Sequence, residues 1–253
     1  VVVLAGAGHS PGVTTTTLGL ALAWPRRVLL VDADPHPSQS VLAGYLQGQD
    51  PFGKGLTALL SAHRERRPLG PLLSEAALDL APCDPTDRRF LPGFVNPGMA
   101  ELFAAVWPEF AGALGGGEPD VLVDVGRLGG RGLPPALSET ADALLLVTRT
   151  SLVDLVSLRL HLPVVVDAVE PEQLGLVLIG ADRPYTAREI EAQFELRVAA
   201  SIGWAPAEAR VWSHGDASSR RFRLGGYRRG VQRAANSLYE HLQARSARIG
   251  APR

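Results

Sequence analysis

The opening of the chain constrains its fold more than any other stretch. An apolar run, Val1-Val2-Val3-Leu4-Ala5, leads into the turn Gly6-Ala7-Gly8-His9-Ser10-Pro11-Gly12. Residues 13–24 follow and are closed by Pro25. An apolar run, a glycine-rich turn and a helix-forming stretch in direct succession predict strand, loop and helix, the context that a phosphate-binding loop requires. Such a loop turns backbone N–H groups toward one point, and the helix N-terminus adds its partial positive charge. The predicted phosphate-contacting residues are Gly8, His9, Ser10, Pro11, Gly12, Val13, Thr14 and Thr15, with the Thr14 hydroxyl placed to ligate Mg²⁺.

Two further runs extend the pattern. Residues 27–32 are apolar and end in Asp32, followed by Ala33-Asp34-Pro35. Residues 119–126 form a third run, with Asp124 ninety residues after Asp34. Continuous apolar runs suit strands buried on both faces of a parallel sheet. Residues 143–148 and 174–180 read as further buried strands, and 196–202 as an edge strand. Residues 77–81 read as a weak strand and 83–97, rich in proline, as a loop. Helical patterns cover about 41–46, 56–61, 99–114, 150–160, 186–194 and 230–244. In the last, Val231, Ala234, Leu238 and Leu242 share a face that suits core packing. Alternating strands and helices predict an α/β fold with a doubly wound, mostly parallel sheet flanked by helices, P-loop NTPase-like. Its ligand crevice lies at the carboxyl ends of the strands. The loop, Asp32, Asp34 and Asp124 all fall at such ends. A dinucleotide-binding reading is disfavoured, because Gly12 comes one residue late for the third glycine of that fingerprint.

Residues 7–21 resemble the deviant phosphate loop of the MinD/ParA family of P-loop ATPases, K-G-G-x-G-K-T-T followed by a helix ending in L-A. Asp32-x-Asp34-Pro35 resembles that family's second signature, and Asp124 its Walker B aspartate. The resemblance implies ATP or ADP with Mg²⁺ as cofactors, Thr14, Asp32 and Asp124 around the metal, and Asp34 as the catalytic residue that positions the attacking water. It also implies a homodimer. Aligned through Thr14-Thr15, the family's signature lysine falls on Gly8 and its loop lysine on Val13, and the sole lysine of the chain is Lys54. Opposite charges a few Å apart interact by about 4 kcal/mol at an effective dielectric near 20. Their loss therefore implies weak or no hydrolysis, since positioning and electrostatics carry phosphoryl transfer. Arg127 and Arg149, each just after an apolar run, are candidate substitutes. The adenine-contacting asparagine of the family corresponds to Gly180-Ala181-Asp182, and its proline-containing loop beside the base to Trp204-Ala205-Pro206. Residues 10–15 with Leu22-Ala23-Trp24-Pro25 are most similar to the actinobacterial CpaE/TadZ-like members encoded with Tad pilus genes. That similarity implies protein partners in a pilus, secretion or positioning system. The alternatives are a nucleotide-free pseudo-ATPase interaction module and a DNA-partitioning ATPase of ParA type.

Composition sets outer bounds. The chain has 253 residues, 46% of them apolar, enough for one large domain spanning 1–253 and against disorder. Its net charge of −1 hides an asymmetry: from Ser201 onward ten arginines face three acidic residues, a net +7 that leaves −8 for the first 200. This basic, helical C-terminal segment, about 206–253, could meet nucleic acid or an anionic membrane surface. Cys83 stands alone, which excludes an intramolecular disulfide and a multi-cysteine metal site. His9, His36 and His214 share no ligand spacing. No apolar run reaches the roughly 18 to 20 residues of a membrane span, and no signal peptide is evident. A cytoplasmic protein, peripheral at the inner membrane at most, is expected.

Overall fold

Every second residue of a strand faces the same side, so the apolar runs of this chain can be buried only if both sheet faces are covered. The computed structural model, which describes residues 1–8, 11–82, 84–129 and 132–249, has that arrangement. Its strands are β1 (Val2–Gly6), β2 (Val28–Asp32), β3 (Leu78–Asp79), β4 (Arg88–Leu91), β5 (Asp120–Arg127), β6 (Ala143–Arg149), β7 (Leu174–Ile179) and β8 (Val198–Ile202). They form one sheet in the order β3-β4-β2-β5-β1-β6-β7-β8. All neighbours are parallel except β3, which runs antiparallel to β4. β5 is thus inserted between β1 and β2, and the carboxyl ends of these three strands lie side by side.

The first helix, α1 (Val13–Ala23), lies on one face. The other face is covered by α2 (Gly55–Arg64), α3 (Leu69–Ala76), α4 (Pro97–Leu102), α5 (Trp107–Leu114), α6 (Pro135–Thr140), α7 (Leu152–His161), α8 (Pro163–Val166) and α9 (Ala187–Phe194). α10 (Pro206–Ser213), α11 (Arg220–Leu224) and α12 (Gly226–Ile249) return to the face of α1. Val3, Ala5, Leu29 and Val31 belong to the core of the α2–α9 face, and Val2, Leu4, Val28 and Leu30 to that of the α1 face. α1 is flanked by sheet, α10 and α12, which is why its sequence is apolar nearly all round. Its buried Thr17 hydroxyl is satisfied by donating to the Val13 carbonyl at 2.9 Å. The stripe of α12 packs on the core as expected, with Val231, Ala234 and Leu238 buried.

Some elements differ from their sequence expectation. The stretch 83–97 is not all loop: it contains β4, whose first two residues are arginines and gave no apolar signal. Arg88 is nevertheless buried. Its guanidinium donates to the carbonyls of Ala21 at 3.2 Å and Trp24 at 3.0 Å, at the C-terminal end of α1, and pairs with Asp84. Residues 99–114 are not one helix. α4 ends at Leu102, a 3₁₀ turn covers Phe103–Ala105, and α5 restarts with Pro108 in its first turn, where a missing N–H costs nothing. The short helix expected at 41–46 is a π-helical turn, Val41–Tyr45. α3 and α6 had no clear sequence signal, and α12 extends beyond 230–244 at both ends. No described helix is long and apolar enough to cross a membrane.

Candidate functional site

Strand parity decides which side chains meet where β1, β2 and β5 end. Leu30 and Leu122 face α1, so Asp32 and Asp124, two residues further on, face α1 as well. The two aspartates are register partners on adjacent strands, with 7% and 2% of their surface exposed. The loop enters α1 through Gly12 (φ 94°), and Thr14, on the first turn, lies close enough to Asp124 for its hydroxyl to favour the charged carboxylate. Asp124 Oδ1 also accepts from the Gly126 N–H at 2.8 Å. Its buried Oδ2 has no partner at hydrogen-bonding geometry among the described residues.

Asp34 completes the acidic side of the site. Its N–H donates to Asp32 Oδ1 at 3.2 Å, and its own Oδ1 accepts from the His36 N–H at 2.8 Å. Gly126 is required here on two counts. Its φ of +66° favours glycine, and a Cβ on it would lie 2.1 Å from the Asp34 Cγ. The carboxylates of Asp34 and Asp124 therefore both approach Gly126, near the end of β5.

Burial pushes the Asp32 carboxyl well above the usual carboxylate range; the charge of Asp124 adds to the effect and the Asp34 N–H opposes it. Burial also raises Asp124, against the Thr14 hydroxyl and the Gly126 N–H. Asp34 is raised by burial too, with the His36 N–H and the charge of Arg127 pulling it back. Clustered carboxyls whose charged forms are disfavoured are a receptive place for a cation. Among the described residues no group of three or more His, Cys, Asp or Glu side chains makes a self-sufficient metal cage. Mg²⁺ does not need one, because it keeps several waters and takes one or two protein oxygens plus phosphate oxygens. The Thr14 hydroxyl and the unpartnered Asp124 Oδ2 fit that requirement.

The phosphate side begins well. α1 has no side-chain cap and no acidic residue in its first turn. By contrast, Ser151 caps α7 and Thr186 with Glu189 forms a capping box on α9. The first N–H groups of α1 thus remain available to an anion. The cationic side chains are another matter. Val13 is buried and turned back against Gly6, where an added Cβ would meet Val13 Cγ2 at 2.6 Å. Gly8 has φ +78°, and a Cβ on it would lie 1.8 Å from Ser157 Oγ of α7. Val13 is thus packed against Gly6, and Gly8 is approached by Ser157. Lys54 is tied to the Glu75 carbonyl. Arg149 lies over the Trp204 ring, 4.8 Å from its centroid, and Arg127, at the end of β5, acts electrostatically on Asp34.

At the neighbouring strand ends, the Thr150 hydroxyl donates to the carbonyls of Gly180 at 2.7 Å and Arg183 at 2.9 Å. This ties β6 to the turn after β7, where Asp182 has φ +68°. Trp204 is 42% exposed beside it.

Of the residues expected from sequence, Thr14, Asp32, Asp34 and Asp124 come together, and Gly8, Pro11, Gly12, Val13 and Thr15 form the described part of the loop and helix start around them. His9 and Ser10 lie outside the described residues, as does Cys83. Sequence reasoning missed Ser157 and the double constraint on Gly126. The glycine directly after Val125 was a visible signal for the second; nothing marked Ser157, which is 149 positions from Gly8.

No family model matches the chain, and no curated protein matches it. Solved structures do. The chain superposes on a ParA family ATPase from Chlorobium tepidum TLS with a TM-score of 0.68 and 18% identity, covering 93% of this chain and 97% of that one. For the MinC:MinD cell division protein complex of Aquifex aeolicus the TM-score is 0.67 and the identity 14%, with 94% and 95% covered. For the septum site-determining protein MinD complexed with Mg-ADP from Pyrococcus horikoshii OT3 the TM-score is 0.67 and the identity 17%, with 94% of each chain covered. The expected fold is therefore the observed one: an eight-stranded, mostly parallel sheet flanked by helices, shared along nearly its whole length with MinD and ParA ATPases.

Proposed function

We propose that the chain is a Mg²⁺-dependent ATP- or ADP-binding protein of MinD/ParA type with weak or no hydrolysis, acting as a positioning or scaffold component. The observation that carries this reading is the convergence of an uncapped α1 N-terminus, the nearness of Thr14 to Asp124 and the in-register pair Asp32 and Asp124 at adjacent strand ends. The loop and first-turn N–H groups of α1 bind phosphate oxygens. Thr14, Asp32 and Asp124 would hold Mg²⁺ and its water, and Asp34 would position the attacking water. Bound Mg²⁺ supplies charge neutralisation and geometry at the phosphates. Without a lysine at Val13 or Gly8, binding retains its backbone and metal contributions while transition-state charge is poorly stabilised. The test is calorimetry of ATP and ADP with and without Mg²⁺, with phosphate release measured on the same sample. Mg²⁺-dependent binding that Thr14→Ala weakens supports the assignment; equal binding by that variant refutes it.

The partner surface belongs to the same reading. Leu152, Val153, Val156 and Leu160 of α7, with Val164 and Val166 of α8, are exposed, and α7 touches the loop through Ser157. A contiguous exposed apolar stripe of this kind marks an interaction face. A second copy of the chain is the occupant expected beside the nucleotide, and a pilus, secretion or positioning component, as in CpaE/TadZ-like proteins, the alternative one. The burial of Val13 and the Ser157–Gly8 contact favour a second reading, a nucleotide-free scaffold on the same fold; it predicts no nucleotide-dependent thermal shift. The exposed Arg220, Arg223, Arg228, Arg229 and Arg233 favour a third, contact with nucleic acid or an anionic membrane surface. It requires salt-sensitive DNA or vesicle binding that is lost when Arg220, Arg221 and Arg223 are changed to Glu.

A further inference from the structure

A cavity of about 840 Å³ lies at the opposite end of the sheet from the phosphate loop, between the amino-terminal ends of β1, β6, β7 and β8 and the second half of α12. Its origin is readable in the strands. On the α1 face, most of β6 and β7 carries large residues, such as Leu145, Val147 and Val177. Toward the amino ends that face carries Ala143 and Ala199, with Gly175 between their strands. A Cβ on Gly175 would sit 3.3 Å from Leu145 Cδ2 and 3.6 Å from Ala199 Cβ, so the glycine faces the cavity floor. α12 bridges this low floor on Leu238 and Leu242 instead of filling it. The volume lies within the range of small-molecule sites, and an apolar cavity with a few placed polar groups is their usual form.

The polar lining is mixed: Arg197, His241 and Arg245 stand among Asp142, Glu170, Glu172 and Glu195. Arg197 sets its guanidinium against the His241 ring, 2.8 Å from Nε2, and Arg245 donates to the Asp142 carbonyl. Among the described residues neither arginine has a carboxylate within ion-pair distance, although most other ion pairs of the chain use arginine. Of the acidic residues of the rim, the Asp142 carboxylate pairs with the Val1 amino group, and Glu170, Glu172 and Glu195 are exposed. Two arginines held by a histidine ring and a backbone carbonyl at the mouth of an apolar cavity are the complement of an anionic head on an apolar body.

We infer that this cavity is a binding site for a carboxylate-headed amphiphile such as a medium-chain acyl carboxylate. The apolar body lies between Leu145, Ala199 and Leu238, and the carboxylate meets Arg197 beside His241. The site is separate from the phosphate loop and independent of the nucleotide reading.

Calorimetry with decanoate, below its micellar concentration, on the full chain tests it. Decanol serves as the probe without a charged head, and Mg-ATP is added as a competitor. The expected result is saturable decanoate binding, unaffected by Mg-ATP. It weakens about tenfold or more in Arg197→Gln, as loss of a charge-assisted hydrogen bond predicts, and is absent in Ala199→Leu, which fills the floor. Arg197 is exposed, so its substitution leaves folding intact and isolates the head contact. No saturable binding, equal affinity for decanol, or unchanged affinity in Arg197→Gln overturns the inference.

Discussion

The two sides of the candidate site are unequally equipped. On the metal side, strand parity and register bring Asp32 and Asp124 together under Thr14, one Asp124 oxygen has no partner among the described residues, and all three aspartates are raised by burial. On the phosphate-charge side, the position of the loop lysine is filled by a buried valine and that of the signature lysine by the approach of Ser157. Loss of a cation could leave a hole that a nearby arginine fills. Here both positions have been closed by packing, which binds the loop to the core and to α7. On the proposed reading, nucleotide affinity would rest on the backbone and the metal side and hydrolysis on charges these positions do not supply, so the two should come apart.

The strongest way to break that contrast is to remove the metal side. Asp124→Asn is expected to weaken Mg²⁺-dependent ATP binding by about 10- to 100-fold in calorimetry, the scale on which groups that orient metal ligands act. Next comes restoration of a lysine. Gly8→Lys meets both a positive φ and Ser157 Oγ, and should cost about 1–3 kcal/mol in denaturant unfolding. Combining it with Ser157→Gly should recover part of that loss, and full additivity of the two changes would show that the contact is not the obstacle. Val13→Lys should lose about 2 kcal/mol of core packing yet raise ATP affinity, because the charge must leave the core to be solvated or bound.

A milder test uses pH. The raised carboxyls mean that, above the ordinary aspartate range, the folded chain binds more protons than the unfolded chain. Stability without nucleotide therefore falls as pH rises from about 4 through the folded-state values of Asp32 and Asp124. Asp32→Asn should flatten that fall and raise the melting temperature at pH 8, each unit of upward displacement being worth about 1.4 kcal/mol. Mg-ATP should do the same in the unsubstituted chain. A melting temperature that rises with pH over this window contradicts the electrostatic account. The smallest expected effect on stability is that of Leu160→Glu, within about 0.5 kcal/mol for a site this exposed. The same variant should reduce self-association in sedimentation if α7 is the interface.

What could be read in advance follows from the range of the interactions. β1, β2 and β5 were legible because burial on both faces demands continuous apolar runs, and the aspartates ending them were legible by position. β4 was not, because Arg88 is buried through hydrogen bonds to the end of α1, a tertiary circumstance that no local pattern records. The break near Pro108 was within reach of local rules, yet the apolar spacing of Leu102, Phe103, Val106 and Phe110 outweighed it. In the candidate site, the residue types were legible and their orientation was not. The residue type of Val13 is local information, whereas its burial against Gly6 is set by tertiary packing. The cavity under α12 depends on Ala143, Gly175 and Ala199, small residues on three strands that only the sheet order makes neighbours.

The central claim, a site that keeps its metal side and has closed its charge side, is tested most directly by titrating ATP into the chain with and without Mg²⁺ while following phosphate release in the same cell. The account predicts Mg²⁺-dependent binding with little or no turnover. Turnover at the rate of a lysine-bearing ATPase, or binding indifferent to Mg²⁺, would contradict it.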